Sequence, residues 1–109
     1  MLPNADRAYI DLRKLADYVL SPDHPRGKHK AKVFANALGL GPADAEWLRD
    51  EIQKGVRTAK EVPGPSDEHG KRYVVDLPMT TVSGSAVVRT AWIVRAGEAF
   101  PRLASCYVL

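Results

Sequence analysis

Apolar residues in the first half of the chain recur every three to four positions, a spacing that predicts amphipathic helices. The first predicted helix covers residues 12–20, where leucine and valine side chains would share one face. Asp11 precedes it as a helix cap, because its carboxylate can accept free N–H groups of the first turn. Before this helix, residues 7–10 are predicted to form a short strand.

The same spacing predicts two further helices. Residues 28–38 place alanine, phenylalanine and leucine side chains on one face, and Gly39 is expected to end this helix. Pro42 is suited to the first turn of a third helix, because a helix leaves the first N–H groups unpaired in any case. This third helix should fade near Thr58.

The pattern changes near Tyr73 to an alternation of apolar and polar residues, which predicts β-strands. Pro78 suggests that the first strand ends there or lies at a sheet edge, since proline has no N–H group to donate. Ser83–Ser85 is predicted to be a turn. The predicted strands cover residues 73–79, 86–95 and 102–109.

Helices followed by strands indicate an α+β domain rather than an alternating α/β fold. We therefore predict N-terminal helices packed on a C-terminal antiparallel β-sheet of three to four strands. The 109 residues fit a single domain. It is expected to be mainly helical over residues 1–59, a loop with several prolines and glycines over 60–72, and β-sheet over 73–109.

The charged residues are distributed unevenly along the chain. The formal net charge is +3, with +3 in residues 1–40, −3 in residues 41–70 and +3 in residues 71–109. If the fold brings the two basic ends together, they could form one basic face. The alternative is that these lysines and arginines are ordinary solvent-exposed residues that keep the protein surface hydrated.

The sequence lacks the features of a secreted or membrane protein. Cys106 is the single cysteine, so no internal disulfide can form. No apolar run approaches the roughly 18 residues of a membrane span. Residues 1–6 do not resemble a signal peptide. We therefore expect a cytoplasmic protein, or a domain cut from a larger one, without a membrane partner.

Several familiar catalytic motifs are missing from the sequence. Gly39–Pro42 is expected to be a helix end rather than a phosphate-binding loop, and no Gly-x-Ser-x-Gly elbow occurs. Asp67, Glu68 and His69 are conceivable metal ligands, but a solvated loop is the simpler interpretation. We predict no metal site and no cofactor.

The start of the second predicted helix carries the densest group of basic side chains. Residues 26–32 contain four cations and a histidine, among them Lys28, His29, Lys30 and Lys32. Lysines would neutralise a phosphodiester, and His29 could exchange a proton near neutral pH. The alternative is a solvated basic turn with an incidental histidine.

The last two predicted strands carry a second group of candidate residues. Arg89 and Thr90 lie mid-strand between apolar runs. In the final strand, alternation puts Ser105 and Tyr107 on one open face, where hydroxyls and a ring could contact RNA. The opposite, buried face would consist of Ala104, Cys106 and Val108. The alternative is an ordinary half-polar outer sheet face.

Side chains of these types can cleave RNA without a metal. A base deprotonates the ribose 2′-hydroxyl, cations stabilise the phosphorane, and an acid protonates the leaving 5′-oxygen. In this scheme His29 acts as general base or acid, while Lys30 and Arg89 contact the phosphate. The predicted catalytic residues are His29, Lys30, Arg89 and Tyr107, and the predicted substrate-binding residues are Lys28, Lys32, Thr90 and Ser105.

Four stretches of the sequence, whose order and spacing span nearly the full chain, resemble an uncharacterised bacterial domain family. They are Leu2–Ala8, Ser21–Pro25 with Gly27 and His29–Phe34, Arg89–Val94, and Pro101–Leu103 with Ser105–Val108. The family occurs as stand-alone proteins of about this size and as the C-terminal tip of filamentous-haemagglutinin and contact-dependent toxins.

The resemblance implies a toxin similar in layout to the barnase, colicin and RelE-like ribonucleases, which cut RNA without a metal. On this basis we expect the toxin of a bacterial toxin–antitoxin pair, with RNA as its substrate and a small protein antitoxin as its partner. One alternative is a non-catalytic binding module, such as an antitoxin, an immunity protein or an adaptor. Another is a nuclease that acts on DNA with a metal.

Overall fold

Asp11 begins the first helix of the computed structural model, which describes residues 1–109. Its carboxylate accepts a hydrogen bond from the backbone N–H of Arg13 at 3.0 Å, as expected of a helix cap. Helix α1 (Leu12–Lys14) continues directly into a π-helical segment (Leu15–Val19). Both parts have helical backbone, so the helix predicted over residues 12–20 is confirmed.

The strand predicted over residues 7–10 is wrong. Ala5–Arg7 forms a short 3₁₀ helix. Only Tyr9 pairs with the sheet, through an isolated parallel bridge to Arg102. The 3₁₀ helix includes Arg7 and the next helix begins after Asp11, so the short segment between them makes this one bridge and no longer pairing.

The two longer helices lie where the apolar spacing predicted them. Helix α2 spans Lys28–Leu38 and ends at Gly39, whose left-handed φ of +68° suits a residue without a Cβ. A 3₁₀ turn (Pro42–Asp44) then leads into α3 (Ala45–Val56). No helix of the chain is long and apolar enough to cross a membrane.

The loop predicted over residues 60–72 is wrong, because most of it is strand β1 (Glu61–Asp67). β1 is an edge strand, and proline is tolerated there because one side of the backbone needs no partner. Pro63 is opposite Tyr73 of the next strand, and the pairing is interrupted by a bulge before Ser66. The prolines that suggested a loop therefore mark an edge and a bulge.

The sheet has four antiparallel strands in sequence order. β2 (Gly70–Thr81) pairs with β1 and with β3 (Gly84–Arg95), and β4 (Arg102–Val108) closes the other edge. Helices occupy the N-terminal half and the sheet occupies the C-terminal half. The predicted α+β fold with three to four strands is therefore confirmed, although the sheet begins at residue 61 rather than 73.

Pro78 lies in a half-paired part of β2. The register of β1 against β2 ends where Glu61 meets Val75, so only β3 flanks Pro78, whose partner is Val87. This part of β2 is a local sheet edge, as the proline predicted.

A bulge in β4 changes which of its residues are buried. Ala91 is opposite Ser105 but Trp92 is opposite Leu103, so Ala104 has no partner in β3. Ala104 is exposed, which corrects the prediction that it belongs to the buried face. Cys106 is buried as expected.

The core lies between the helices and one face of the sheet. Alternate residues of β3 point into it, and Val88, Thr90 and Trp92 are each at most 1% exposed. The Thr90 hydroxyl donates a 2.7 Å hydrogen bond to the carbonyl of Val75 and accepts one of 2.8 Å from Trp92 Nε1. Thr90 is therefore a satisfied polar residue of the core, which corrects its predicted role in substrate binding.

We expect Thr90→Val to lower the free energy of unfolding by about 1–3 kcal/mol, because the buried Trp92 N–H and Val75 carbonyl would both lose a partner. Urea unfolding measures the difference. Thr80→Val is the matched control, since the Thr80 hydroxyl contacts Ser85 at an exposed position. Equal stability of the two variants would contradict the structural role of Thr90.

Candidate functional site

A row of three polar side chains crosses the outer face of the sheet. Asp76 of β2 is in register with Arg89 of β3, and Arg89 is in register with Tyr107 of β4. Arg89 Nε and Nη2 each donate a 2.9 Å hydrogen bond to one carboxylate oxygen of Asp76. The two side chains are 38% and 37% exposed, so solvent reaches this pair.

The bidentate pair fixes the charge state of both partners. Hydrogen bonds from Arg89 hold the pKa of Asp76 below its ordinary value. The pKa of Arg89 is raised, first by Asp76 and to a smaller extent by the neighbouring Tyr107 hydroxyl. Two of the Arg89 donors are thus occupied, and the guanidinium is held beside Tyr107.

Lys30 reaches the same place from α2. Its ammonium nitrogen lies 4.5 Å from the centre of the Tyr107 ring, within the range of a cation–π contact. β4 is an edge strand, so the helix can contact it from the side. Lys30, Arg89 and Tyr107, three of the four predicted catalytic residues, are therefore brought together from three different elements.

His29 does not share the surface of Lys30. Successive residues of an α-helix project about 100° apart, so the two side chains leave α2 in different directions. His29 lies with Lys28 and Lys32 along a cleft of about 440 Å³ that has an apolar floor. The fourth predicted catalytic residue and two predicted substrate-binding lysines thus form a separate group.

A small pocket adjoins the Lys30–Tyr107 contact. It has a volume of about 250 Å³ and lies between the first helix, α2 and β4. Gly27 lets α2 begin close to the first helix, because a Cβ at this position would be only 2.5 Å from the carbonyl oxygen of Tyr18. The residues lining the pocket are Lys14, Tyr18, Val19, Lys30, Ala104, Ser105 and Cys106.

Ser105, a predicted substrate-binding residue, lies in this pocket together with two residues that the sequence did not single out. Lys14 and Tyr18 are four positions apart, so a helix places them on one side. Lys14 Nζ donates a 3.0 Å hydrogen bond to the carbonyl of Ala104. The only sequence signal for the pair is this spacing, which does not reveal what the helix faces.

Cys106 is not suited to nucleophilic chemistry. It is 3% exposed, and burial raises the pKa of its thiol to about 12. A thiol of this kind holds its proton at neutral pH, whereas the thiolate is the nucleophilic form. The cysteine therefore serves as a small apolar residue at the wall of the pocket.

The acidic hairpin between β1 and β2 is internally bonded. Asp67 accepts a 2.9 Å hydrogen bond from the backbone N–H of His69 and forms a 2.9 Å ion pair with Arg72. His69 Nε2 is 3.8 Å from Glu68. No three histidine, cysteine, aspartate or glutamate side chains converge in an arrangement that would hold a metal ion.

We expect the Asp76–Arg89 pair to give the fold an acid-sensitive contribution to stability. A carboxyl whose pKa is lower in the folded state stabilises the fold above its ordinary pKa, and this contribution is lost as pH falls through the folded-state value. The difference in unfolding free energy between wild type and Asp76→Asn should therefore be constant near neutral pH and shrink below the ordinary value of 3.8.

Denaturant unfolding at a series of pH values tests this expectation. Arg89→Gln is the matched variant, because it removes the other partner, and the double variant should lose little more than either single one. The size of the effect is limited by solvent screening at these half-exposed positions. A stability difference that grows on acidification would contradict the assigned ion pair.

Comparison with known proteins assigns the chain to a family. A family model described as a domain of unknown function, DUF6883, matches residues 1–109. No curated protein and no solved structure matches the chain. Because the match covers every residue, the chain belongs to the DUF6883 family.

Proposed function

We propose that this domain is a toxin-type, metal-independent endoribonuclease whose active centre is formed by Lys30, Tyr107 and Arg89. The observation that carries the proposal is the meeting of these residues, which are far apart in the sequence, at the β4 edge of the sheet. Lys30 Nζ is 4.5 Å from the Tyr107 ring, and Arg89 is directly opposite Tyr107.

The chemistry of the three residues suits cleavage by the 2′-hydroxyl of RNA. The 2′-oxygen attacks phosphorus, its proton leaves to solvent, and the bond from phosphorus to the 5′-oxygen breaks. The Tyr107 hydroxyl donates a proton to the leaving 5′-oxygen. The ammonium of Lys30 and the unpaired part of the Arg89 guanidinium stabilise the negative charge of the phosphorane. The products are a 2′,3′-cyclic phosphate and a 5′-hydroxyl.

In this proposal the domain acts in the cytoplasm, where its RNA substrate is, and a small protein antitoxin restrains it. The antitoxin would cover the Lys30–Tyr107 edge with acidic side chains, because an uncovered lysine beside an aromatic ring attracts negative charge. A bacterial toxin–antitoxin pair is thus the biological setting that we propose.

A non-catalytic binding module, such as an antitoxin, an immunity protein or an adaptor, is the second candidate. Two observations favour it. Asp76 already occupies two donors of Arg89, and His29 lies with Lys28 and Lys32 at a different cleft. A surface with this charge distribution would hold a phosphate backbone without cutting it.

We expect the purified protein to cut total bacterial RNA into discrete fragments in excess EDTA. Tyr107→Phe should reduce the rate about a hundredfold or more, the usual contribution of a general acid. Lys30→Gln should reduce it strongly as well, because it removes a charge from the phosphorane. Gel analysis of the fragments over time gives the rates.

Matched controls come from the same chain. Tyr73→Phe removes a tyrosine hydroxyl from β2, and Lys71→Gln removes an exposed lysine from the same strand. Both should cut RNA as wild type does. His29→Ala should also retain activity, and its loss would return the histidine to the mechanism.

Intact RNA after incubation with folded wild-type protein would reject the ribonuclease. Retention of that RNA on the protein, with loss of binding in Lys30→Gln, would instead support the binding module. Cleavage that disappears in EDTA would point to the metal-dependent alternative. Growth arrest on expression separates a toxin from a binder in cells.

A further inference from the structure

The pocket beside β4 gathers two lysines from two helices. Lys14 comes from α1 and donates to the carbonyl of Ala104, while Lys30 comes from α2 and rests on the ring of Tyr107. An ammonium group has three donors, so Lys14 keeps two of them free and Lys30 keeps three. Both lysines line the same pocket.

Neither lysine is neutralised by the protein. The ion pairs of the chain, with nitrogen–oxygen distances up to 4.0 Å, do not include Lys14 or Lys30. In contrast, three arginines of the sheet are paired: Arg72 with Asp67, Arg89 with Asp76 and Arg102 with Glu98. Lys14 and Lys30 thus bring two unpaired positive charges to one pocket.

The rest of the pocket also suits an anion. Tyr18 and Ser105 bring hydroxyl groups to its lining, and Cys106 and Val19 form apolar parts of its wall. Its volume of about 250 Å³ lies below the roughly 300–1,000 Å³ of sites that enclose a whole drug-sized ligand. A charged group at the end of a larger molecule therefore fits better than an entire ligand.

We propose that this pocket binds a terminal phosphate monoester of RNA or of a nucleotide. Two unpaired ammonium groups match the two negative charges of a monoester near neutral pH, whereas an internal phosphodiester carries only one. The hydroxyls of Tyr18 and Ser105 donate the remaining hydrogen bonds to the phosphate oxygens.

This inference rests on the proposed function in one respect, because Lys30 serves both the pocket and the Tyr107 contact. A strand whose terminal phosphate occupies the pocket would lie with its next nucleotides against Tyr107 and Arg89. The preferred substrate would then be an RNA end that carries a phosphate. Phosphate binding itself does not require that RNA is cut.

The test is an NMR titration of the full-length, ¹⁵N-labelled protein. The probes are inorganic phosphate, adenosine 5′-monophosphate, adenosine 3′-monophosphate, dimethyl phosphate and adenosine. We expect the three monoester-type probes to shift the amide signals of Lys30 and Ala104–Cys106, and dimethyl phosphate and adenosine to leave them unchanged. The tighter of the two adenosine monophosphates identifies the end of the strand that is recognised.

Variants connect binding to the two lysines. Lys14→Gln and Lys30→Gln should each raise the dissociation constant for adenosine monophosphate about tenfold, because each removes a charge-assisted hydrogen bond. Lys71→Gln, which removes an exposed lysine of β2 far from the pocket residues, should bind as wild type does. The amide spectrum of each variant reports whether it is folded.

Three results would overturn the proposal. They are the absence of shifts with every phosphate probe at millimolar concentration, equal binding of dimethyl phosphate and the monoesters, and unchanged binding by folded Lys14→Gln and Lys30→Gln proteins. The outcome of the RNA cleavage assay does not depend on the outcome of the phosphate titration. Phosphate binding without RNA cleavage would support the phosphate-binding pocket and reject the ribonuclease. RNA cleavage without phosphate binding would support the ribonuclease and reject the phosphate-binding pocket.

Discussion

The register of β3 between its neighbours decides which side chains of this domain are buried and which face solvent. Successive residues of a strand point to opposite faces, so a shift of one residue would exchange them. The hydrogen bond from the Thr90 hydroxyl to the carbonyl of Val75 joins β3 to β2 inside the core, and Trp92 Nε1 holds the same hydroxyl in place. The adjacent Arg89 is thereby directed to the outer face, where it meets Asp76 and Tyr107.

The paired arginines of the sheet and the two lysines of the pocket have different roles on this fold. Three of the four sheet arginines, Arg72, Arg89 and Arg102, pair with a carboxylate, and a planar guanidinium suits such contacts. Lys14 and Lys30 instead keep free donors at the β4 edge. A net charge of +3 is modest, so the location of the unpaired charges matters more for ligand binding than their sum.

Local sequence patterns predicted much of the fold. The limits of α2 were predicted from the apolar spacing of residues 28–38 and from the glycine at position 39. Both signals depend only on neighbouring residues. Strand β1 could not be recognised in this way, since Pro63 and its neighbours are typical of loops as well as of edge strands. The bulge that exposes Ala104 was also hidden, because it exists only in the pairing of β4 with β3.

The sequence by itself determined that helices precede an antiparallel sheet, that Cys106 is buried and which chemical types the candidate residues have. Only the tertiary structure decided which of them meet. Lys30 reaches Tyr107 and shares a pocket with Lys14, whereas His29, one position away, faces another cleft. The physical reason is that such contacts depend on where α2 lies across the sheet edge, and this placement results from packing of the whole core rather than from local periodicity.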